Sequence, residues 1–219
     1  MQLLLGTTNR KKLIELDIHL KPRGFELFTL SDMPNSIEVE ESGETFIENA
    51  RLKAIQQAQH HRLWTVGEDS GLCVPALGGA PGVYSARYSL MDSEQMTPMS
   101  SIGKSPERTY IDQLNNAKLL RELNSHPDDK REAYYVSTIA LSDPDGKIVI
   151  ETSGECWGRI LREPRGHGGF GYDPLFEVVE YHHTFAELGA NVKRAISHRS
   201  RALRQFLRQL DNWMPVAKP

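Results

Sequence analysis

The feature that most narrows the fold is an early alternation of short apolar runs with helical patterns. Leu3 to Leu5 is apolar, Gly6-Thr7-Thr8-Asn9 breaks the run, and a helical pattern starts near Arg10. Leu13, Leu16 and Ile18 to Leu20 are its expected apolar residues. This reads as strand, polar turn, helix. A second strand is expected over Phe25 to Thr29. A helix follows from Thr45 to about His60, because Thr45 and Glu48 have capping-box spacing and Ile47, Ala50, Ala54 and Ala58 share a face. Thr65 to Gly67 reads as a short strand ending at a turn that carries Glu68-Asp69-Ser70-Gly71.

Further along, a helix is expected around Arg108 to Leu123. Tyr134 to Ser142 and Lys147 to Ser153 form a hairpin about the turn formers Asp143-Pro144-Asp145-Gly146, and another strand covers Glu155 to Leu161. The last helix carries a stripe of Leu203, Phe206, Leu207 and Leu210. Residues 89–107, rich in Ser and Met without periodicity, read as an exposed insertion with no assigned function. No repeat or linker interrupts the 219 residues, so the expectation is α/β: a single domain with a mixed sheet.

Composition excludes several classes. A net charge of -3 gives no long-range attraction for nucleic acid or an anionic membrane. The apolar start, Met1 to Gly6, is too short for a signal or membrane segment, so a cytoplasmic protein is expected. The two cysteines, Cys73 and Cys156, match no metal spacing and read as small core residues. No HExxH, CxxC, GxSxG or Walker A pattern is present.

Chemistry concentrates in four places. In Thr7-Thr8-Asn9-Arg10-Lys11-Lys12, a polar turn entering a helix offers backbone N–H groups and cations to an anion. Glu68 and Asp69, with Glu40 or Glu41 before the second helix, offer carboxylates suited to Mg²⁺. In Gly168-Gly169-Phe170-Gly171-Tyr172-Asp173-Pro174, Phe170 or Tyr172 offers a ring to a flat ligand, and Asp173 accepts hydrogen bonds. Ser197-His198-Arg199, with Lys193 just ahead, supplies donors to a carbonyl-rich or anionic ligand. Each has a bland alternative: a helix cap, a solvated pair of acids, a core turn, a polar helix face. A nucleoside triphosphate uses all four.

The sequence resembles the non-canonical purine nucleoside triphosphate pyrophosphatases, also called inosine triphosphate pyrophosphatases. The matching residues are Thr7-x-Asn9-x-x-Lys12, Glu41 with Thr45-Phe46-Ile47-Glu48-Asn49-Ala50, and Glu68-Asp69-Ser70-Gly71-Leu72. They continue with Gly78 to Tyr88, Gly168 to Pro174, and Lys193 with Ser197-His198-Arg199. Two departures are visible: Glu at position 68 where many bacterial relatives carry Asp, and a longer stretch from Leu90 to Arg108.

The resemblance implies a single elongated α/β domain with a long central mixed sheet flanked by helices, usually a homodimer. It implies hydrolysis of ITP, dITP or XTP to the monophosphate and pyrophosphate with Mg²⁺, which clears these nucleotides before they enter DNA or RNA. By position, Asp69 would be the general base, and Lys12 would be catalytic beside it. Thr7, Thr8, Asn9, Arg10, Lys11, Lys12 and Ser70 would bind substrate, and Glu41, Glu68 and Asp69 the metal. Phe170 would stack on the base, with Gly171, Tyr172, Asp173, Lys193, Ser197, His198 and Arg199 completing the pocket. The rivals are a Maf-like pyrophosphatase of other nucleotide preference and a nucleotide-sensing or RNA-binding module without turnover.

Overall fold

The structure, a computed structural model, describes residues 1–8, 10–92 and 106–213, apart from the side chains of residues 11, 15, 92, 106 and 107. Asn9, the Lys11 side chain and most of the expected 89–107 insertion therefore lie outside the described residues.

In chain order the elements are β1 (Gln2–Leu5), α1 (Arg10–Leu20), β2 (Glu26–Thr29), α2 (Phe46–His61), β3 (Trp64–Cys73) and α3 (Pro106–Glu122). Then come β4 (Glu132–Ser142), β5 (Ile148–Ile160), β6 (Phe176–Val178), β7 (His183–Thr184), α4 (Phe185–Ile196) and α5 (His198–Trp213). The strands form one seven-stranded sheet in the order β2-β1-β3-β4-β5-β6-β7. β1 runs parallel to β2 and β3, whereas β6 is antiparallel to β5 and β7, so the sheet is mixed as expected.

The chain divides into two compact units: Met1–Asp69 with Ser137–Gly154 and the chain from Arg201 on, and Ser70–Val136 with Glu155–Ser200. The first unit packs Leu3, Leu5, Phe25, Val66 and Ile139 with Phe206 and Leu210, the stripe expected on the last helix. In the second unit, Leu72, Leu119, Leu123, Tyr135, Phe176 and Phe185 form the core. Cys73 and Cys156 are both buried thiols, as read from the sequence. No helix of the described residues is long and apolar enough to cross a membrane.

Local chemistry explains the elements that match the sequence reading. The Thr45 hydroxyl accepts the Glu48 N–H at 3.3 Å and Glu48 accepts the Thr45 N–H at 3.1 Å, a reciprocal cap that starts α2. The hairpin turns where Asp143 donates its N–H to the Lys147 carbonyl and its carboxylate accepts the N–H groups of Asp145 and Lys147.

Four details differ from the sequence reading. β3 does not stop at Gly67 but runs on through the acids to Cys73. The polar stretch is matched by its neighbour strand: Ser137 Oγ donates to Glu68 and Thr138 Oγ1 to the Asp69 carbonyl, at 3.2 and 3.3 Å. The expected strands 147–153 and 155–161 are one strand, β5, whose Ser153, Glu155, Trp157 and Arg159 are exposed in alternation with buried residues. Helix α4 is not among the expected elements, although Thr184 and Glu187 form a reciprocal cap at its start; Gly189, at φ +75°, kinks it. Ile18, expected on the apolar face of α1, is 63% exposed, while Leu20 is fully buried.

Candidate active site

In the first unit, close backbone approach builds an ion-pair centre. A Cβ on Gly67 would lie 2.1 Å from the Ala50 carbonyl oxygen, so only glycine lets α2 press this tightly on β3. That contact carries Asn49 and Lys53, one helical turn apart on α2, to Asp69 on the strand. Lys53 Nζ lies 3.0 Å from Asp69 Oδ1 and 3.2 Å from Glu41 Oε2. Asn49 Nδ2 donates to Asp69 Oδ2 at 3.3 Å, and its Oδ1 accepts the Gly43 N–H at 2.8 Å. Burial pushes the Asp69 carboxyl above its ordinary value; Lys53 opposes that shift and Glu41 adds to it.

Glu68 is one residue earlier, and successive strand side chains point to opposite faces. Its carboxylate meets Lys12 Nζ at 3.2 Å and the Ser137 hydroxyl. The three acids expected around a metal are therefore divided: Glu41 and Asp69 share Lys53, and Glu68 faces Lys12. Among the described residues, no three His, Cys, Asp or Glu side chains gather into a metal-holding group. Nearby, Leu30 donates its N–H to the Thr7 carbonyl, Thr8 is exposed at the turn, and Arg10 pairs with Asp32 at 2.9 Å.

The second unit holds the aromatic cluster. Phe170 is 61% exposed, whereas Tyr172 is buried in the core with its hydroxyl donating to the Ser85 carbonyl at 2.9 Å. Burial raises the Tyr172 phenol far above its ordinary value, so the group stays protonated. The two rings that are equivalent in the sequence are thus distinguished: the Phe170 ring faces solvent and the Tyr172 ring packs in the core. Asp173 is buried beneath Phe170. Its Oδ2 accepts the Phe170 N–H at 2.9 Å and pairs with the Lys193 ammonium, which also sits 4.4 Å from the centre of the Phe170 ring. Gly169 is required here, since its φ is +77° and a Cβ would fall 2.1 Å from Asp173 Oδ2.

His198 is buried and stacks on Tyr135, ring centres 4.8 Å apart and planes nearly parallel, which fixes the imidazole plane. Arg199 is half-buried beside it, and Ser70 is half-buried on β3. Ser197 acts locally as the cap of α5, where its Oγ accepts the Ser200 N–H at 3.3 Å and exchanges a hydrogen bond with the Ser200 hydroxyl. Lys53 and Ser137 do not stand out in the sequence as site residues, and Asn49 appears there only within the matching run Thr45 to Ala50, with no role attached. The one signal there is the Asn49–Lys53 spacing at the edge of the Ala50–Ala54 face.

A family model for the Ham1 family matches residues 3–209. The chain belongs to the Ham1 family. It is 50% identical over 208 residues to the dITP/XTP pyrophosphatase of Rhodopirellula baltica, covering 95% of this chain and 92% of that one. A Ham1 protein from Coxiella burnetii matches its fold with TM-score 0.83 and 34% identity, over 97% of this chain and 99% of the other. A nucleoside-triphosphatase, dITP/XTP pyrophosphatase, from Mycobacterium abscessus matches with TM-score 0.76 and 40% identity, over 96% and 100%.

Proposed function

We propose that this chain is a pyrophosphatase acting on ITP, dITP and XTP, releasing the nucleoside monophosphate and pyrophosphate and so cleansing the nucleotide pool. The observation that carries the reading is the convergence of Glu41 and Asp69 on one cation, the Lys53 ammonium, within a Ham1 chain. A loop carboxylate and a strand carboxylate that already share a positive charge fit Mg²⁺, which is commonly held by one or two carboxylates plus substrate phosphates. Glu41 and Asp69 would hold it, with Glu68 nearer to Lys12. When bound, Mg²⁺ supplies charge neutralisation and Lewis-acid polarisation of the phosphates.

The chain's own groups do the rest. Backbone N–H groups at the start of α1, with Thr7, Thr8, Asn9, Arg10 and Lys11, bind the phosphates. Lys12 exchanges its Glu68 partner for a phosphate oxygen and spreads the charge that builds on the leaving pyrophosphate. Asp69 orients a water and takes its proton. The water oxygen bonds to phosphorus as the bridging P–O bond between the α- and β-phosphates breaks. Asn49 and Lys53 favour the ionised carboxylate that this step needs.

The exposed Phe170 ring stacks on the base, and Lys193 stays beside the ring. His198 or Arg199 donates to the 6-oxo group of hypoxanthine or xanthine. Adenine offers an amino donor there instead, and an unsatisfied buried donor costs about 1–3 kcal/mol. Guanine shares the 6-oxo group and is excluded at its 2-amino position.

The proposal includes action in the cytoplasm, without nucleic-acid or membrane partners, as a homodimer. Support for the dimer is the pair Tyr134 and Trp157, stacked with ring centres 4.5 Å apart, Trp157 being 46% exposed on the outer row of β5. Sedimentation of the wild type and Trp157→Glu tests it, with a dimer and a monomer expected. Phosphorus NMR of an inosine triphosphate reaction tests the chemistry: monophosphate and pyrophosphate support it, and diphosphate with inorganic phosphate refutes it.

A further inference from the structure

The base platform is a solvent-facing loop rich in glycine, a composition that by itself leaves the backbone soft. Phe170 is nonetheless held on both sides. The peptide before it is fixed because the Phe170 N–H donates to Asp173 Oδ2 at 2.9 Å. The peptide after it is fixed from helix α3, where Asp112 Oδ2 accepts the Gly171 N–H at 2.8 Å. One turn further along the same helix, Asn116 Nδ2 donates to the Gly171 carbonyl at 3.0 Å. Both polar backbone atoms of Gly171 are therefore gripped by one face of α3. A Cβ on Gly171 would meet nothing within 4 Å, so its glycine answers to the φ of +60° that this grip imposes.

Asp112 is itself restrained. Its second oxygen, Oδ1, pairs with Arg108 Nε at 3.3 Å, and its side chain is 13% exposed. α3 in turn is anchored by Leu119 in the core, with Leu123 buried just past its end, and Asn115 Oδ1 accepts the Ser89 N–H at 2.8 Å. With both flanking peptide planes set, the φ and ψ of Phe170 are set too, and with them the direction of its Cα–Cβ bond.

We propose that Asp112 and Asn116 are positioning residues that aim the Phe170 ring and thereby contribute to base selection. The inference depends on Phe170 being the base platform, as proposed above. Both bond to the backbone of the platform loop, so their removal acts through the geometry of the platform.

Steady-state kinetics on the full chain separates the possibilities. Asp112→Ala and Asn116→Ala are expected to raise KM for inosine triphosphate about tenfold, the equivalent of one lost hydrogen bond, with kcat within about twofold. The ratio of kcat/KM for inosine over adenosine triphosphate should fall alongside. Asp112→Asn keeps an acceptor oxygen for the Gly171 N–H and should restore most of the KM. Leu119→Ala, a core truncation in the same helix, should lower the melting temperature without moving the substrate ratio. Wild-type KM and ratio in Asp112→Ala and Asn116→Ala, with a raised KM in Phe170→Ala, would overturn the inference and leave the platform standing. An unchanged KM in Phe170→Ala would overturn both.

Discussion

Lys53 Nζ stands 3.0 Å from Asp69 Oδ1 and 3.2 Å from Glu41 Oε2, so a helix lysine holds together two acids from separate parts of the chain. Asp69 is mostly buried, and its ionised form is favoured only by what surrounds it: Lys53 and the Asn49 amide, against desolvation and Glu41. Lys53→Met should therefore weaken catalysis far more than folding. The expected loss in kcat is about 100-fold, in the range for impaired general acid–base catalysis. Rapid-quench or steady-state kinetics beside a thermal melt checks this.

Phe170→Ala removes an exposed ring, so the melting temperature should stay close to wild type. Stacking of a base on an aromatic side chain is worth about 1–3 kcal/mol. At the corresponding tenfold or so, the rise in KM for inosine triphosphate is read by initial rates across substrate concentration.

Gly67→Ala places a methyl where the Ala50 carbonyl already is. α2 must move off β3, which costs about 1–3 kcal/mol as overpacking and withdraws Asn49 and Lys53 from Asp69. Chemical denaturation should show the stability loss, and activity should fall in the same variant.

The legible and illegible parts of this protein divide along the range of the interactions. The start of α2 is readable because Thr45 and Glu48 are three residues apart and cap each other. The stripe on α5 is readable because Phe206 and Leu210 face one core at helical spacing. Lys53 is not, since a lysine on an amphipathic helix looks solvated until Gly67 lets that helix close on the strand. Glu68 and Asp69 look like a turn because two acids interrupt an apolar run. The hydroxyls of Ser137 and Thr138, each 69 residues away in sequence from its partner, make a continuing strand tolerable there, together with the Lys12 and Lys53 ammonium groups on the two carboxylates. The Phe170 cluster is visible as composition, but its separation into an exposed ring and a buried Tyr172 needs the Ser85 carbonyl and the α3 contacts.

The capping carboxylate of α2 gives a pH signature. Backbone N–H groups of Thr45 and then Glu44 hold the Glu48 carboxyl below its ordinary value. A depressed acid contributes stability that is present above the unfolded value of about 4.3 and is lost as pH falls through the native one. Thermal melts from about pH 7 to about pH 3 should therefore fall less steeply for Glu48→Gln than for wild type, with the two curves closest at the acid end.

The proposed activity is metal-assisted and discriminates among purine triphosphates. Its most direct test is pyrophosphate release from inosine, xanthosine, guanosine, adenosine and thymidine triphosphates, each with Mg²⁺ and with chelator. Turnover that is abolished by chelator and strongly favours the first two is the predicted result. Equal turnover of all five, or turnover indifferent to chelator, would contradict it.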